Sequence, residues 1–219
     1  PIQDKGERVA VSGSCVYVVT NGETSGLAVV DTGNGNAVST TDVGGKGKDV
    51  HVDGATAWVA VDKDENGLAE VTMTGCVPDS SPTLISVTEK GKRVFVSGNS
   101  VYVAIDNDPS GLAVGDKTDT SAITYHVIGG KGKDVYISGN YGVVAVDNQP
   151  NGAAVLNNLG VGSLNVVGAF LNFDGVDDEV TVTSNPSLDG AAAIAFDLWL
   201  RPDAIAPTTI SRIVERGAG

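Results

Sequence analysis

KGKRVFVSGNSVYVAIDNDPSGLAVGD, running from Lys90 to Asp116, decides the fold. Val94 and Val96 alternate with Arg93, Phe95 and Ser97, the period-two pattern of a half-buried strand. Ser97, Gly98 and Asn99 follow as a tight turn, with Gly98 supplying the positive φ such a hairpin needs. Val101 to Ile105 is apolar at nearly every position, as expected of a strand covered on both faces. A loop rich in Asp and Asn leads to a third strand, GLAVG from Gly111, and ITYHVI from Ile123 reads as a weaker fourth.

The same unit recurs without gaps from Lys5, Lys46, Lys90 and Lys131, so the starts are 41, 44 and 41 residues apart. VGGKGKDV from Val43 returns as IGGKGKDV from Ile128, 85 residues on, which suggests duplication in pairs. Val-rich strands with almost no helical periodicity exclude a helical repeat. Four-stranded units of about 40–45 residues are the signature of propeller blades. The expectation is an all-β chain: four-stranded propeller-type blades in tandem over residues 1–160, strand one of each innermost.

These residues resemble the LVIVD repeat of bacterial and archaeal surface and secreted proteins. The resemblance rests on KDVYISGN, VYVAID and GLAVVD and covers residues 5–157. The fourth copy departs from it: GAAVLN puts Asn157 where the others close with Asp or Thr and weakens the aliphatic run. After Gly168 a different pattern begins, with FDGVDDEV, NPSL and LWLRPD. It resembles the start of a laminin-G-like jelly roll, which implies an incomplete β-sandwich over residues 169–219. Ile194, Phe196, Leu198 and Leu200 make one period-two face there, and this strand is expected to pair outside its own fifty residues. The chain opens PIQDKG, without an initiator Met, the start expected of a mature product or a fragment.

Composition narrows the function. Of 219 residues, 41% are hydrophobic and 29 are Gly, enough apolar side chain for a core and enough Gly for many turns. A net charge of −13 argues against nucleic acid as partner, because affinity for phosphate comes from Lys and Arg. No apolar run approaches the ~20 residues that span a bilayer.

The repeat also places the charges. Nine of the eleven Lys and Arg in residues 1–157 sit in the KGK element: Lys5, Arg8, Lys46, Lys48, Lys90, Lys92, Arg93, Lys131 and Lys133. The loop between strands two and three lies at the same end and is acidic, with Asp62, Asp106 and Asp147 opening it. That rim is either a set of mutually neutralising ion pairs or a ligand face on a rigid scaffold.

Within DKDENGLAE, Asp62, Asp64, Asn66 and Glu70 hold positions one, three, five and nine around Gly67, the oxygen spacing of a Ca²⁺ loop. The third copy keeps Asp106, Asp108 and Ser110 but has Val114 at nine. The competing reading is an Asx-rich turn without metal. His51 aligns with Ala10, Phe95 and Tyr136, a packing or surface position, and His126 has no acid at useful spacing. No catalytic or cofactor-binding motif stands out. Cys15 and Cys76 are either one disulfide, as an even count in an exported chain favours, or two buried thiols.

The expected protein is therefore a non-catalytic, exported prokaryotic surface or extracellular module. Its expected role is adhesion, binding or scaffolding, with other surface proteins, glycans or copies of itself as partners. The alternatives are a subunit of a filament or surface layer, completed by its neighbours, and a propeller enzyme.

Overall fold

The computed structural model describes residue 2 and residues 4–22, 26–147 and 152–157, together with 165–169 as a strand. The chain divides into two compact units, Pro1–Phe173 and Asp174–Gly219. The described residues all belong to the first, so the residues expected to form a jelly roll, 194–200 among them, lie outside the described residues.

Every described residue in regular structure is in a β-strand. Blade one is an antiparallel meander of β1 (Gly6–Ser12), β2 (Cys15–Thr20), β3 (Leu27–Asp31) and β4 (Ala37–Thr41). Blade two begins with β5 (Lys46–Asp53), β6 (Thr56–Asp62) and β7 (Leu68–Thr74). Its outer edge is split: β8 (Val77–Pro78) pairs with the end of β7 and β9 (Thr83–Ile85) with its start. This interruption coincides with the longer, 44-residue period of the second copy. Blade three is β10 (Gly91–Ser97), β11 (Ser100–Ile105), β12 (Leu112–Asp116) and β13 (Asp119–His126). Blade four is β14 (Lys131–Ser138), β15 (Tyr141–Asp147), β16 (Ala153–Asn157) and β17 (Asn165–Ala169). Its outer strand thus extends past residue 160, where the repeat alone places the end of the blades.

The first hairpin of every blade turns on a glycine with φ 58°: Gly13, Gly54, Gly98 and Gly139. At the opposite end Lys46 pairs across the sheet with Asp62 and Lys131 with Asp147, while the Asp106 amide donates to the Lys90 carbonyl at 3.1 Å. The basic and acidic elements therefore share one end, and the SGN-type turns occupy the other.

First strands form the inner row: β5 packs against both β1 and β10, and β10 against β14. Each junction between consecutive blades has its own core. Tyr17, Val19 and Leu27 of blade one meet Val50, Val59 and Ala69 of blade two. Trp58, Ala60 and Leu68 then meet Val94, Val96 and Val103 of blade three. Tyr102, Ala104 and Leu112 meet Val135, Ile137 and Val144 of blade four. Alternate residues of one strand thus serve opposite junctions, which is why the second strand reads as continuously apolar. Burying each large aliphatic side chain contributes about 1.5–3 kcal/mol.

Glycine sets how closely blades approach. A Cβ on Gly67 would come within 2.2 Å of the Glu89 carbonyl oxygen, and one on Gly91 within 2.0 Å of the Gly67 oxygen. Gly26 with Gly47, and Gly111 with Gly132, repeat the contact at the other two junctions. The Gly of KGK and the Gly before the third strand are the two halves of one backbone joint.

Candidate functional site

The charged rim is built on a β-bulge. The ladder between first and second strands slips between Gly6 and Arg8, Gly47 and Asp49, Gly91 and Arg93, and Gly132 and Asp134. The extra residue is Glu7, Lys48, Lys92 and Lys133 in turn. A bulge re-aims its side chain, and here it carries the ammonium to the junction between blades. Lys48 Nζ lies 3.4 Å from Asp62 and 3.8 Å from Glu7. Lys92 Nζ lies 3.2 Å from Asp106 of its own blade and 3.9 Å from Asp62 of the blade before. Lys131 reaches Asp106 at 3.1 Å and Lys133 reaches Asp147 at 2.8 Å.

The charges therefore form a continuous alternating ladder from Glu7 to Lys131 across four blades, with Lys133 and Asp147 as a further pair on the fourth. Burial alone would raise the Asp106 carboxyl, but hydrogen bonds from Lys131 and Lys92, and their charge, bring it below the usual carboxylate range. Its hydrogen bond to Asp147 likewise raises the Lys133 ammonium, against a small opposing effect of burial.

A second alternation follows the bulge: Arg8, Asp49, Arg93 and Asp134 occupy one position in the four blades. Asp49 accepts a hydrogen bond from the Val94 amide at 3.1 Å, bridging blades two and three. Arg93 Nε lies 3.2 Å from Asp134, bridging three and four. Burial pushes the Asp49 carboxyl up to about 6, outweighing the hydrogen bonds from Val94 and Val50 and the attraction of Arg8.

Two residues further along, His51, Phe95 and Tyr136 form a row. The rings of His51 and Phe95 are 4.8 Å apart and tilted, and those of Phe95 and Tyr136 are 5.1 Å apart, edge to face. Burial lowers the His51 imidazole, partly opposed by Asp53. His51 is thus a packing residue of the inner row. Burial also lowers the His126 imidazole in β13.

The calcium-spaced residues are dispersed. Asp62 is taken by two ammonium groups, Asp64 is exposed, and Asn66 is half-buried. Glu70 lies inside β7, opposite Trp58 on one side and Thr83 on the other, where burial raises its carboxyl. In the third copy Asp106 is held by lysines, Asp108 is exposed, and Ser110 bridges to Gly130. Among the described residues no three His, Cys, Asp or Glu side chains gather where they could hold a metal. The two cysteines do come together: Cys15 of β2 and Cys76, in the turn after β7, form a disulfide that ties blade one to blade two. Among the described residues no helix is long and apolar enough to cross a membrane.

No family model and no curated protein matches the chain. Its similarities are to solved structures. The computationally designed Ika4 protein matches with a TM-score of 0.57 at 13% identity, over 72% of this chain and 93% of Ika4. The computationally designed Ika8 protein matches with a TM-score of 0.55 at 11% identity, over 68% of this chain and 44% of that one. A putative 6-phosphogluconolactonase from Bacteroides uniformis, of β-propeller-like fold, matches with a TM-score of 0.57 at 16% identity, over 73% of this chain and 55% of its own. The chain thus spans about half of Ika8 and of the lactonase. At these identities the likeness is one of fold: tandem four-stranded antiparallel sheets of propeller type.

Proposed function

We propose that this chain is the propeller part of an exported prokaryotic surface or extracellular protein, of LVIVD-repeat type and followed by a laminin-G-like module. It acts without catalysis, as an adhesion, binding or scaffolding unit for surface proteins or glycans. The observation that carries this reading is the Cys15–Cys76 disulfide in a frame whose repeated charges are committed to one another. Disulfides of this kind persist in oxidising compartments outside the cytosol. Rigid blades joined by ion pairs leave the connecting loops as the variable, ligand-facing part.

The test is immobilisation of the oxidised chain and interferometry against defined polysaccharides and purified surface proteins. Saturable binding is the expected result, and none across the panel would count against the reading. The likeness to the Bacteroides uniformis protein favours one rival, a propeller lactonase. Incubation with 6-phosphogluconolactone distinguishes the two, because ring opening above the spontaneous rate would replace the binding reading with an enzymatic one.

A further inference from the structure

The two ends of the blade row carry the unused halves of the joint that links the blades to each other. Val50 and Val52, Val94 and Val96, and Val135 and Ile137 all face the preceding blade, and most are buried there. Their equivalents in blade one, Val9 and Val11, are 63% and 67% exposed. On blade four the side that would meet a following blade shows Tyr136, Tyr141 and Val143, exposed by 66%, 67% and 44%.

The glycines repeat the pattern. Gly26, Gly67 and Gly111 each abut the backbone of the next blade, whereas Gly152, at the same place in blade four, has nothing within 4 Å of a built Cβ. Gly6 is the counterpart of Gly47, Gly91 and Gly132, and a Cβ there would meet only Val18 of its own blade. Nothing within the described residues requires glycine at either position for close approach.

We infer that a second copy of this chain takes the place beside blade one and blade four that no described residue occupies. Blade four of one copy packs head to tail against blade one of the other, and two such junctions close two four-blade rows into one ring. The occupant is identified by continuity with the existing joints. Blade one presents the Val9 and Val11 pair that the inner junctions bury, and Gly6 to meet Gly152. Arg8 faces the position of Asp134, so the Arg and Asp alternation that runs Arg8, Asp49, Arg93, Asp134 continues in register. Tyr136, at the open end of the aromatic row, meets Ala10, a large side chain against a small one. A head-to-tail interface of this kind closes when its rotation permits, and eight blades lie within the range of known propellers. One element is mismatched: Asp147 would face Glu7, where every inner junction offers a lysine. With −13 net charge per copy, the pairing also needs enough salt to screen repulsion.

The experiment is sedimentation velocity on the oxidised 219-residue chain in about 0.15 M salt, from about 1 µM to 0.5 mM. A species of twice 22.2 kDa that grows with concentration is expected. A monomer throughout overturns the proposal. Gly152→Ala should leave the melting temperature of the dilute monomer unchanged while weakening the pairing at least about tenfold, since the joint admits no Cβ. Glu7→Lys should tighten it several-fold. Val11→Asp and Tyr136→Asp should each abolish the ring, and an equimolar mixture should recover a heterodimer through its one intact junction. Failure of the mixture to pair, or a dimer indifferent to Gly152→Ala, would overturn the head-to-tail geometry.

Discussion

Asp49→Asn is expected to stabilise the protein at neutral pH, although it deletes a charge that lies near an arginine. The carboxyl titrates near 6 in the folded chain against an ordinary value of 3.8, and burial is the first cause. Between those two pH values the native state holds a proton that the unfolded state has released. Stability therefore falls as pH rises from about 4 to 6, and the deficit persists above. A shift of about 2 units corresponds to about 3 kcal/mol. Asp49 keeps some contact with solvent, so about 1–2 kcal/mol is the realistic size after screening.

Asn carries no charge to desolvate, and its Oδ1 still accepts from the Val94 amide. For a unit of this size the gain should raise the melting temperature by roughly 3–6 °C at pH 8, and the difference should vanish near pH 4. Asp49→Ala is the control: it removes the charge and the acceptor together, leaving the Val94 amide unpaired at a cost of about 1–3 kcal/mol at every pH. Calorimetric melting from pH 4 to 8 decides it. An Asn variant less stable than the parent at pH 8 and level with it at pH 4 would mean that the attraction of Arg8 outweighs burial, and the reasoning would fail.

Reduction of the Cys15–Cys76 bridge, or Cys15→Ser with Cys76→Ser, should destabilise by about 4 kcal/mol, since the bonded residues are 61 apart in sequence; chemical unfolding with and without reductant measures this. Gly67→Ala should cost more than about 2 kcal/mol, because the new Cβ meets the Glu89 carbonyl oxygen. Gly98→Ala, with open space but φ 58°, should cost only about 1 kcal/mol, and denaturant midpoints compare the two. Lys92→Met removes the ammonium shared by Asp62 and Asp106 and should cost about 1 kcal/mol at low salt and less at 1 M. A calcium titration by calorimetry should give no saturable heat while Asp62 is held by two lysines; a heat that Asp62→Asn abolishes would restore the metal reading of that loop.

Much of the fold was legible because repetition does the work of an alignment within one chain. A side chain apolar in all four copies marks one face that the repeat is built to bury, so Val9, Val50, Val94 and Val135 are one position seen four times, buried at the three inner junctions and exposed only in blade one. The strand count, the two ends and the placement of lysine against aspartate follow from that. What repetition could not reveal was the neighbour of each element. His51 aligned with alanine and two aromatics looks like a position free to vary; only the packing of consecutive first strands shows that the residues at this position touch each other. The dispersal of Asp62 and Glu70 was hidden for a related reason. Counting along a loop assumes that the loop continues to position nine, but β7 begins at Leu68 and carries Glu70 into the sheet.

The bulge was legible in principle. Extending the period-two face of Val94 and Val96 back by two residues places Lys92 on the same buried side. Lys48 and Lys133 stand in the same conflict, and in blade one it falls on Glu7. A charge that continues an apolar face is tolerated only if the strand takes in an extra residue and turns the side chain out. The conflict recurs in all four copies, so it marks a feature of the repeat rather than an accident of one blade. The extra residue is what lets one lysine reach carboxylates of two blades. One half of the joint between blades, exposed at Gly6, is therefore written in the spacing of the KGK element, and the other half, exposed at Gly152, in the glycine that precedes each third strand.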